Sequence, residues 1–211
     1  MEAKVLFLLN QLKLHCYTTF SHSFRVGIET RNFAKYLGLY HYEELFYLGF
    51  LHDIGKIKIN SSLLNKKGRL SESEFAELKK HTHYGQQIIK NAHYVPQYFH
   101  EVILLHHENV DGSGYLGMKG KEIPFLSRII RIIDSYDTML NGRIYQNPIR
   151  HNDVMEELHS LSNIYYDKEL IHNFSNYQAW KALHSFTTEI PVLKKLDTFV
   201  MDGSRSDLNE R

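Results

Sequence analysis

The sequence has the length and charge balance of one compact domain. Its 211 residues carry 25 lysines and arginines against 24 aspartates and glutamates, a formal net charge of +1, so no basic face is expected for long nucleic acid or for a membrane surface. The 43% of hydrophobic residues can bury a core, and the single cysteine excludes an internal disulfide framework. The longest N-terminal apolar stretch, Val5 to Leu9, is too short to span a membrane. We therefore expect a cytoplasmic protein without membrane insertion.

The apolar spacing is helical along nearly the whole chain. Helices are predicted over residues 3–17, 21–37, 43–52, 71–81, 84–91, 96–107 and 124–141, and Asn152 and Asp167 are predicted as the N-caps of two more. Ser71 and Glu74 have the spacing of a capping box, and Gly38 is placed to end the second helix. The third helix is apolar on nearly every face, which predicts a buried central position. No β-alternation of useful length is present, so the predicted fold class is all-α.

A glycine-rich stretch over residues 108–123 has no apolar periodicity and is predicted as a long loop. Long loops inside compact domains are usually functional. Another loop is predicted over residues 60–68, and Gly55 is expected to give a flexible exit from the third helix. Residues 1–176 are predicted to form the domain, and residues 177–211 a helical extension with a polar tail.

Histidine and aspartate side chains recur at the ends and on the faces of the predicted helices. The set comprises His22, His52, Asp53, His81, His106, His107 and Asp134. Each alone is more often a hydrogen-bonded core or surface residue than a ligand. Adjacent residues on an ideal helix point about 100° apart, so His106 and His107 can face one point only at a helix end.

The chemistry of these side chains favours a metal centre. Imidazole and carboxylate without thiolate suit iron, manganese, zinc or nickel. The candidates are too many for one tetrahedral ion, whereas two ions would use them all, with Asp53 as the natural shared carboxylate. Two ions about 3.5–4 Å apart can hold a hydroxide between them and aim it in line at a phosphorus atom.

Several separated motifs carry a family resemblance. His52-Asp53-Ile54-Gly55-Lys56 is followed by His106-His107-Glu108 and by Asp111-Gly112-Ser113-Gly114-Tyr115. In this order and spacing they resemble the HD-GYP family of metal-dependent phosphodiesterases, which hydrolyse the bacterial signalling molecule cyclic di-GMP to pGpG or onward to GMP. The resemblance implies a helical bundle of the HD type, a metal site in its core, a cyclic dinucleotide substrate and two divalent ions, with iron or manganese expected ahead of zinc or nickel.

The resemblance also implies roles for single residues. The metal ligands would be His22, His52, Asp53, His81, His106, His107 and Asp134. Asp53 and Lys56 would be catalytic, since the family places a phosphate contact and a proton donor to the leaving oxygen at Lys56. An alternative for Lys56 is a surface ammonium that caps carbonyl groups at a helix end.

Three further residues are candidate substrate contacts. Asp137 either fixes a histidine proton or touches the substrate guanine, and its alternative is a helix salt bridge with Arg131 or Arg143. Arg143 stands at the family's phosphate-binding arginine. Tyr115 could stack on the substrate or donate a hydrogen bond. His83, two residues beyond His81, is expected to be a non-ligand.

Three positions depart from the family pattern. Leu116 replaces the proline of Gly-Tyr-Pro, which restores an amide donor and should loosen the loop. Gln146 replaces a basic residue, so the preference among cyclic dinucleotides stays open. Thr18, four residues before His22, stands where three-metal members carry a glutamate; we therefore expect two metal ions per chain.

Other hypotheses stay open beside a cyclic di-GMP phosphodiesterase. The substrate could be another cyclic dinucleotide or a nucleotide, as in other HD-type phosphohydrolases. A degenerate receptor would bind cyclic di-GMP without turnover and should have lost a ligand. An all-α module with incidental histidines would require the motif matches to be coincidental. A homodimer or a signalling protein as partner is equally open.

Overall fold

The computed structural model describes residues 2–90, 92, 95–142 and 148–184. Its helices are α1 (Glu2–His15), α2 (Tyr17–Tyr36), α3 (Tyr42–Leu51), α4 (Ser61–Leu64), α5 (Glu72–Lys79), α6 (His81–Lys90), α7 (Tyr98–Leu105), α8 (Phe125–Asn141), α9 (His151–Ser160) and α10 (Lys168–Leu183). Short 3₁₀ turns occupy Ile54–Lys58 and Gly120–Glu122. Within these residues the only β-pairing is an isolated bridge between Ser162 and Tyr166, which confirms the all-α prediction.

The predicted gap between the first two helices is wrong. Only Cys16 separates α1 from α2, because its extended backbone (φ −154°) breaks the first helix while its carbonyl already accepts from Phe20 of the second. The second helix therefore begins at Tyr17 rather than at Ser21. This places Thr18 and His22 on one continuous helix.

The centre of the core is α3, whose apolar side chains, Phe46, Leu48 and Phe50 among them, are almost fully buried as predicted. It crosses α2 at two glycines. A Cβ on Gly27 would lie 2.8 Å from the carbonyl oxygen of Phe46, and a Cβ on Gly49 would crowd α2 in the same way. This close crossing brings the His22 end of α2 beside the end of α3.

Gly55 serves close packing rather than flexibility. A Cβ at this position would lie 1.9 Å from the carbonyl oxygen of His81 and 2.4 Å from the amide nitrogen of Gly85. No side chain fits there. The glycine lets the 3₁₀ turn after α3 rest directly on α6, which sets Asp53 beside His81.

The remaining sequence predictions concern the helix ends. The capping box of Ser71 and Glu74 is present, and Asp167 caps α10 by accepting from two backbone amides. Asn152 is not a cap, because α9 begins at His151 with Arg150 at the N-cap position. The predicted loop over 60–68 contains α4, and no break other than Lys80 separates α5 from α6.

The chain divides into two compact units, Met1–Tyr177 and Gln178–Arg211. Every candidate site residue that the structure describes lies in the first unit. Arg143 and Gln146 fall outside the described residues. The division of the chain into a domain over 1–176 and an extension over 177–211 stays a prediction. Across the described residues, no helix is both long enough and apolar enough to cross a membrane.

Candidate metal centre

The seven predicted ligands lie together in two groups. One group contains Asp53, His81, His106 and His107, and the other contains His22, His52 and Asp134. Within each group the candidate ligand atoms lie within 4.8 Å of one another, a spacing that could hold a metal ion. All of these residues except His22 and His107 are buried.

Helix ends supply most of the ligands. His52 and Asp53 follow α3, His81 is the first residue of α6, and His106 and His107 follow α7. Both adjacent pairs therefore lie where the helical twist ends, which allows neighbouring side chains to converge. The middles of two helices supply the others, His22 from α2 and Asp134 from α8.

Asp53 lies between the two groups. Its Oδ1 is 3.2 Å from His81 Nε2 and 4.0 Å from His106 Nε2, on the side of the first group. Its Oδ2 is 3.4 Å from His52 Nε2 and 3.9 Å from His22 Nε2, on the side of the second. Burial opposes ionisation, but the positive charge of Lys56 outweighs it and holds the pKa of Asp53 well below its usual range. One ionised carboxylate thus faces both groups.

Asp134 makes a second link across the centre. Its Oδ1 lies 3.0 Å from His22 Nε2, and its Oδ2 lies 4.0 Å from His107 Nδ1. Although burial opposes ionisation, the hydrogen bond from His22 and the nearby positive charge keep the pKa of Asp134 well below its usual range. The centre therefore has two carboxylates that stay charged at neutral pH.

Three of the histidine rings make the same hydrogen bond to the backbone. Nδ1 of His52, His81 and His106 lies 2.6, 2.8 and 2.7 Å, respectively, from the backbone carbonyl oxygen three residues earlier. A carbonyl oxygen only accepts, so each Nδ1 carries the hydrogen and donates. Nε2 of each ring then carries a free lone pair that points into the centre, as in a metal-ligating histidine.

The arrangement of these lone pairs fits a bound cation. Nε2 of His81 and Nε2 of His106 are 3.3 Å apart. Burial lowers the pKa of His81 to about 4, and burial together with neighbouring histidines lowers the pKa of His106 well below its ordinary value, so no proton separates them at neutral pH. Among the described residues, His52 Nε2 and Asp53 Oδ1 are also buried without a hydrogen-bond partner. Metal ions would satisfy all of these atoms.

A carboxylate and a guanidinium hold His22. Asp137 Oδ2 lies 2.7 Å from His22 Nδ1, and Arg25 donates to both oxygens of Asp137 at 2.7 and 2.8 Å. Burial opposes the charged ring, but the hydrogen bonds to Asp134 and Asp137 raise the pKa of His22 overall. The sequence offered no signal for Arg25, because its partner lies 112 residues away.

Lys56 is buried against the centre rather than exposed at a helix end. Its side chain is 10% exposed, and its Nζ lies 2.5 Å from Asp53 Oδ2. Lys56, His22 and the exposed Thr18 also line a neighbouring cavity of about 360 Å³. The ammonium group can therefore reach both the shared carboxylate and a molecule in that cavity.

Glu108 fixes the Gly-Tyr-Leu loop, a role that its place in the His106-His107-Glu108 motif does not predict. Glu108 is 2% exposed and accepts hydrogen bonds from the amides of Leu116 at 2.7 Å and Met118 at 2.8 Å. The amide donor that leucine restores is thus used, so Leu116 is anchored to Glu108 and does not loosen the loop as predicted. The ring of Tyr115 lies over that of His107, with centroids 4.6 Å apart and planes tilted by 32°. His83 is exposed and belongs to neither group.

The sequence matches a known family and several curated proteins. Residues 12–170 match the family described as HD domain. The chain is 36% identical over 208 residues to a cyclic di-GMP phosphodiesterase of Thermotoga maritima. This match covers 96% of this chain and 55% of that protein. It is also 32% identical over 168 residues to the 3'3'-cGAMP-specific phosphodiesterase 2 of Vibrio cholerae. This match covers 78% of this chain and 32% of that protein. The chain thus spans about half or less of these relatives.

Solved structures share the fold. The HDGYP protein Bd1817 of Bdellovibrio bacteriovorus matches with a TM-score of 0.61 at 19% identity, over 75% of this chain and 51% of that chain. The HD domain of the L. monocytogenes phosphodiesterase PgpH, solved with cyclic-di-AMP, matches with a TM-score of 0.59 at 18% identity, over 86% of this chain and 99% of that chain. Both neighbours confirm the predicted type of helical fold.

Proposed function

Because the chain belongs to the HD domain family, we propose that it is a metal-dependent phosphodiesterase that hydrolyses cyclic dinucleotides, with cyclic di-GMP as the leading substrate and pGpG, GMP or both as products. The observation that carries this proposal is the position of Asp53, whose two oxygens face the two ligand groups. Similarity to the Thermotoga maritima cyclic di-GMP phosphodiesterase supports the substrate class.

Two divalent metal ions complete the proposed centre, and the resemblance to the HD-GYP family favours iron or manganese ahead of zinc or nickel. His81, His106 and His107 would hold one ion, His22, His52 and Asp134 would hold the other, and Asp53 would be shared. When bound, such ions supply Lewis-acid activation of water and offset negative charge on the phosphate.

The side chains around the centre have separate tasks in this proposal. The ammonium group of Lys56, buried beside Asp53, binds a phosphate oxygen and holds a proton for the leaving ribose oxygen. Asp137 keeps His22 oriented instead of touching a guanine, because its oxygens are already used by His22 and Arg25. Tyr115 covers His107 at the edge of the site.

Two assignments extend beyond the described geometry. Arg143 is proposed to bind a substrate phosphate, since an arginine fork matches that group in shape and charge. The region over residues 1–176 is proposed as the catalytic domain. The degenerate-receptor hypothesis has less support, because all seven candidate ligands are present and grouped.

The test is hydrolysis by reconstituted protein. The chain is loaded anaerobically with Fe(II) or Mn(II), given cyclic di-GMP, and the products are separated by chromatography. We expect pGpG or GMP from the loaded protein and none from a metal-free aliquot. Loaded protein that leaves cyclic di-GMP and other cyclic dinucleotides intact would contradict the proposal.

A further inference from the structure

The cavity of about 360 Å³ adjoins the candidate metal centre. His22 belongs to one ligand group and lines the cavity, and Lys56 contacts Asp53 and also lines it. A ligand whose phosphodiester lies at the centre can therefore extend into the cavity. This volume is at the lower end of the about 300–1,000 Å³ of small-molecule sites, which suits one nucleoside of a cyclic dinucleotide rather than both.

Arg25 lines the cavity and has a pair of N–H donors to spare. A guanidinium group carries five N–H donors. Nε and Nη2 donate to the two oxygens of Asp137 at 2.7 and 2.8 Å, and Nη1 donates to Ser21 Oγ at 3.0 Å. No acceptor in the described part of the chain takes the remaining two, one on each terminal nitrogen. Because the side chain is 38% exposed, this pair is available to a ligand with two neighbouring acceptors.

Asn141 adds an acceptor beside this donor pair. Its Nδ2 donates to the backbone oxygen and to Oδ1 of Asp137, at 3.1 and 2.9 Å, which uses both amide hydrogens. Arg25 donates to the same Oδ1, so the two side chains lie next to each other. Asn141 is exposed and lines the cavity. Its own Oδ1 is therefore the amide atom that a ligand can use.

The rest of the lining favours a flat ring over a second phosphate. Tyr17 is 66% exposed at the cavity, and nucleic-acid bases stack on such rings. Half-buried leucines add apolar surface, namely Leu63, Leu64, Leu70 and Leu78. These side chains cannot replace the water around a phosphate, and the acceptor oxygen of Asn141 would repel its negative charge. A purine base matches the cavity better.

Guanine has the hydrogen-bonding pattern that complements these two side chains. Its N7 and O6 are neighbouring acceptors, and an arginine fork that donates to both is a common contact in protein–DNA complexes. Its N1–H and its N2 amino group are donors that Oδ1 of Asn141 can accept. Adenine has an amino donor where guanine has O6, so adenine would oppose the N–H groups of Arg25.

We propose that Arg25 and Asn141 recognise one guanine of the substrate in this cavity, with Arg25 donating to N7 and O6. The inference rests on the proposed cyclic dinucleotide substrate, and it narrows that class to molecules with at least one guanine. Cyclic di-GMP and 3'3'-cGAMP meet this requirement, whereas cyclic di-AMP does not. A bidentate contact of this kind discriminates between bases by about 5–150-fold.

Binding of base analogues without turnover tests this recognition. Hydrolysis-resistant phosphorothioate forms of cyclic di-GMP, of cyclic di-AMP and of cyclic di-GMP with 7-deazaguanine bases are titrated by calorimetry into the metal-loaded chain. 7-Deazaguanine lacks the N7 acceptor and keeps O6, N1–H and the N2 amino group. For the wild type we expect cyclic di-AMP to bind about 5–150-fold more weakly than cyclic di-GMP. The 7-deaza compound should bind about tenfold more weakly, because one charge-assisted hydrogen bond is lost.

Arg25→Lys connects the preference to this cavity. A lysine has no fork, so this variant should bind cyclic di-GMP and the 7-deaza compound within about threefold of each other. Arg25 also holds Asp137, so all affinities are expected to fall together, and the ratio between ligands is the readout. Arg31→Lys is the matched control. Arg31 lies on the same helix and donates through the same three nitrogens to Glu43 and Asn32, away from the cavity, and this variant should keep the wild-type ratios.

The possible outcomes separate this inference from the proposed function. Equal binding of the three compounds by the wild type would overturn the guanine site, whether or not Arg25→Lys folds. Unchanged ratios in a folded Arg25→Lys variant would also overturn it, and would mean that Arg25 acts only on Asp137 or on a phosphate. Hydrolysis of unmodified cyclic di-GMP by loaded wild type would leave the proposed function standing in both cases. Loaded wild type that hydrolyses no cyclic dinucleotide would refute that function, and the inference with it.

Discussion

Nε2 of His81 and Nε2 of His106 face each other across 3.3 Å, and each ring uses its Nδ1 hydrogen on a backbone carbonyl. Burial keeps both rings uncharged, and two unprotonated imidazole nitrogens at this distance repel each other. A bound cation converts the repulsion into coordination. The local backbone thus arranges these rings for a ligand that the protein itself does not supply.

Metal should therefore stabilise the fold through His81. At a free metal concentration about a hundredfold above Kd, binding adds about 2.7 kcal/mol to the free energy of unfolding, or about 5–10 °C in Tm for a chain of this size. Differential scanning fluorimetry with and without Mn(II) measures this shift. We expect His81→Gln to lose most of it. His83→Gln, two residues away and exposed, should keep it, and equal losses in both variants would argue against the ligand assignment.

Asp53 has the largest predicted effect on turnover. Asp53→Ala removes the carboxylate that faces both groups, and it should lower kcat for cyclic di-GMP by at least about a thousandfold, since metal centres supply several kcal/mol of charge stabilisation. Circular dichroism should still show a helical fold, because α3 keeps its apolar core contacts. Asp153→Ala, at a surface ion pair with Arg150, is the control. Turnover near the wild-type rate would rule out a shared role for Asp53.

Asp137 should act through His22. Asp137→Asn replaces a charged acceptor with a neutral amide, so the ring loses its fixed tautomer and the metal affinity should fall by about 10–100-fold. Metal titration by calorimetry measures this directly, apart from activity. Glu43→Gln is the matched control, because Glu43 accepts two hydrogen bonds from Arg31 in the same way, but away from the centre. If Asp137→Asn raised KM for cyclic di-GMP with unchanged metal affinity, Asp137 would be a substrate contact instead.

Glu108 should fix the Gly-Tyr-Leu loop. Glu108→Gln replaces a buried carboxylate, which accepts from two loop amides, with a side chain that has one acceptor oxygen, and it should lower the free energy of unfolding by about 1–3 kcal/mol. Leu116→Pro removes one of the donors and should act in the same direction. Chemical denaturation of both single variants and the double variant checks this, with exposed Glu156→Gln as control. Strictly additive losses would mean that the Glu108–Leu116 hydrogen bond contributes nothing.

Local sequence features predicted much of the fold and the metal centre. Apolar periodicity predicts the helices, and the capping box of Ser71 and Glu74 forms as expected. The twist of an α-helix explains why adjacent His106 and His107 had to lie at a helix end, where they are found. These inferences needed only neighbouring residues.

Features that depend on contacts between distant segments could not be predicted. Arg25 gains its role from Asp137, 112 residues later, and Glu108 from loop amides whose folding no periodicity describes. Gly55 is predicted to give a flexible exit, yet glycine is required there because the carbonyl of His81 packs against it. Asn152 is predicted as an N-cap, yet α9 begins one residue before it.

Asp53 is proposed to join two metal ions in one chain, so the metal-to-protein ratio measures whether both ions are bound. Thr18 is exposed, carries no charge and lies 3.4 Å from Cys16 Sγ, so it cannot offset the charge of a third cation. Elemental analysis of anaerobically purified protein, set against an accurate protein concentration, should give a ratio near two for the wild type and a lower ratio for Asp53→Ala. A reproducible wild-type ratio near one or near three would contradict the account.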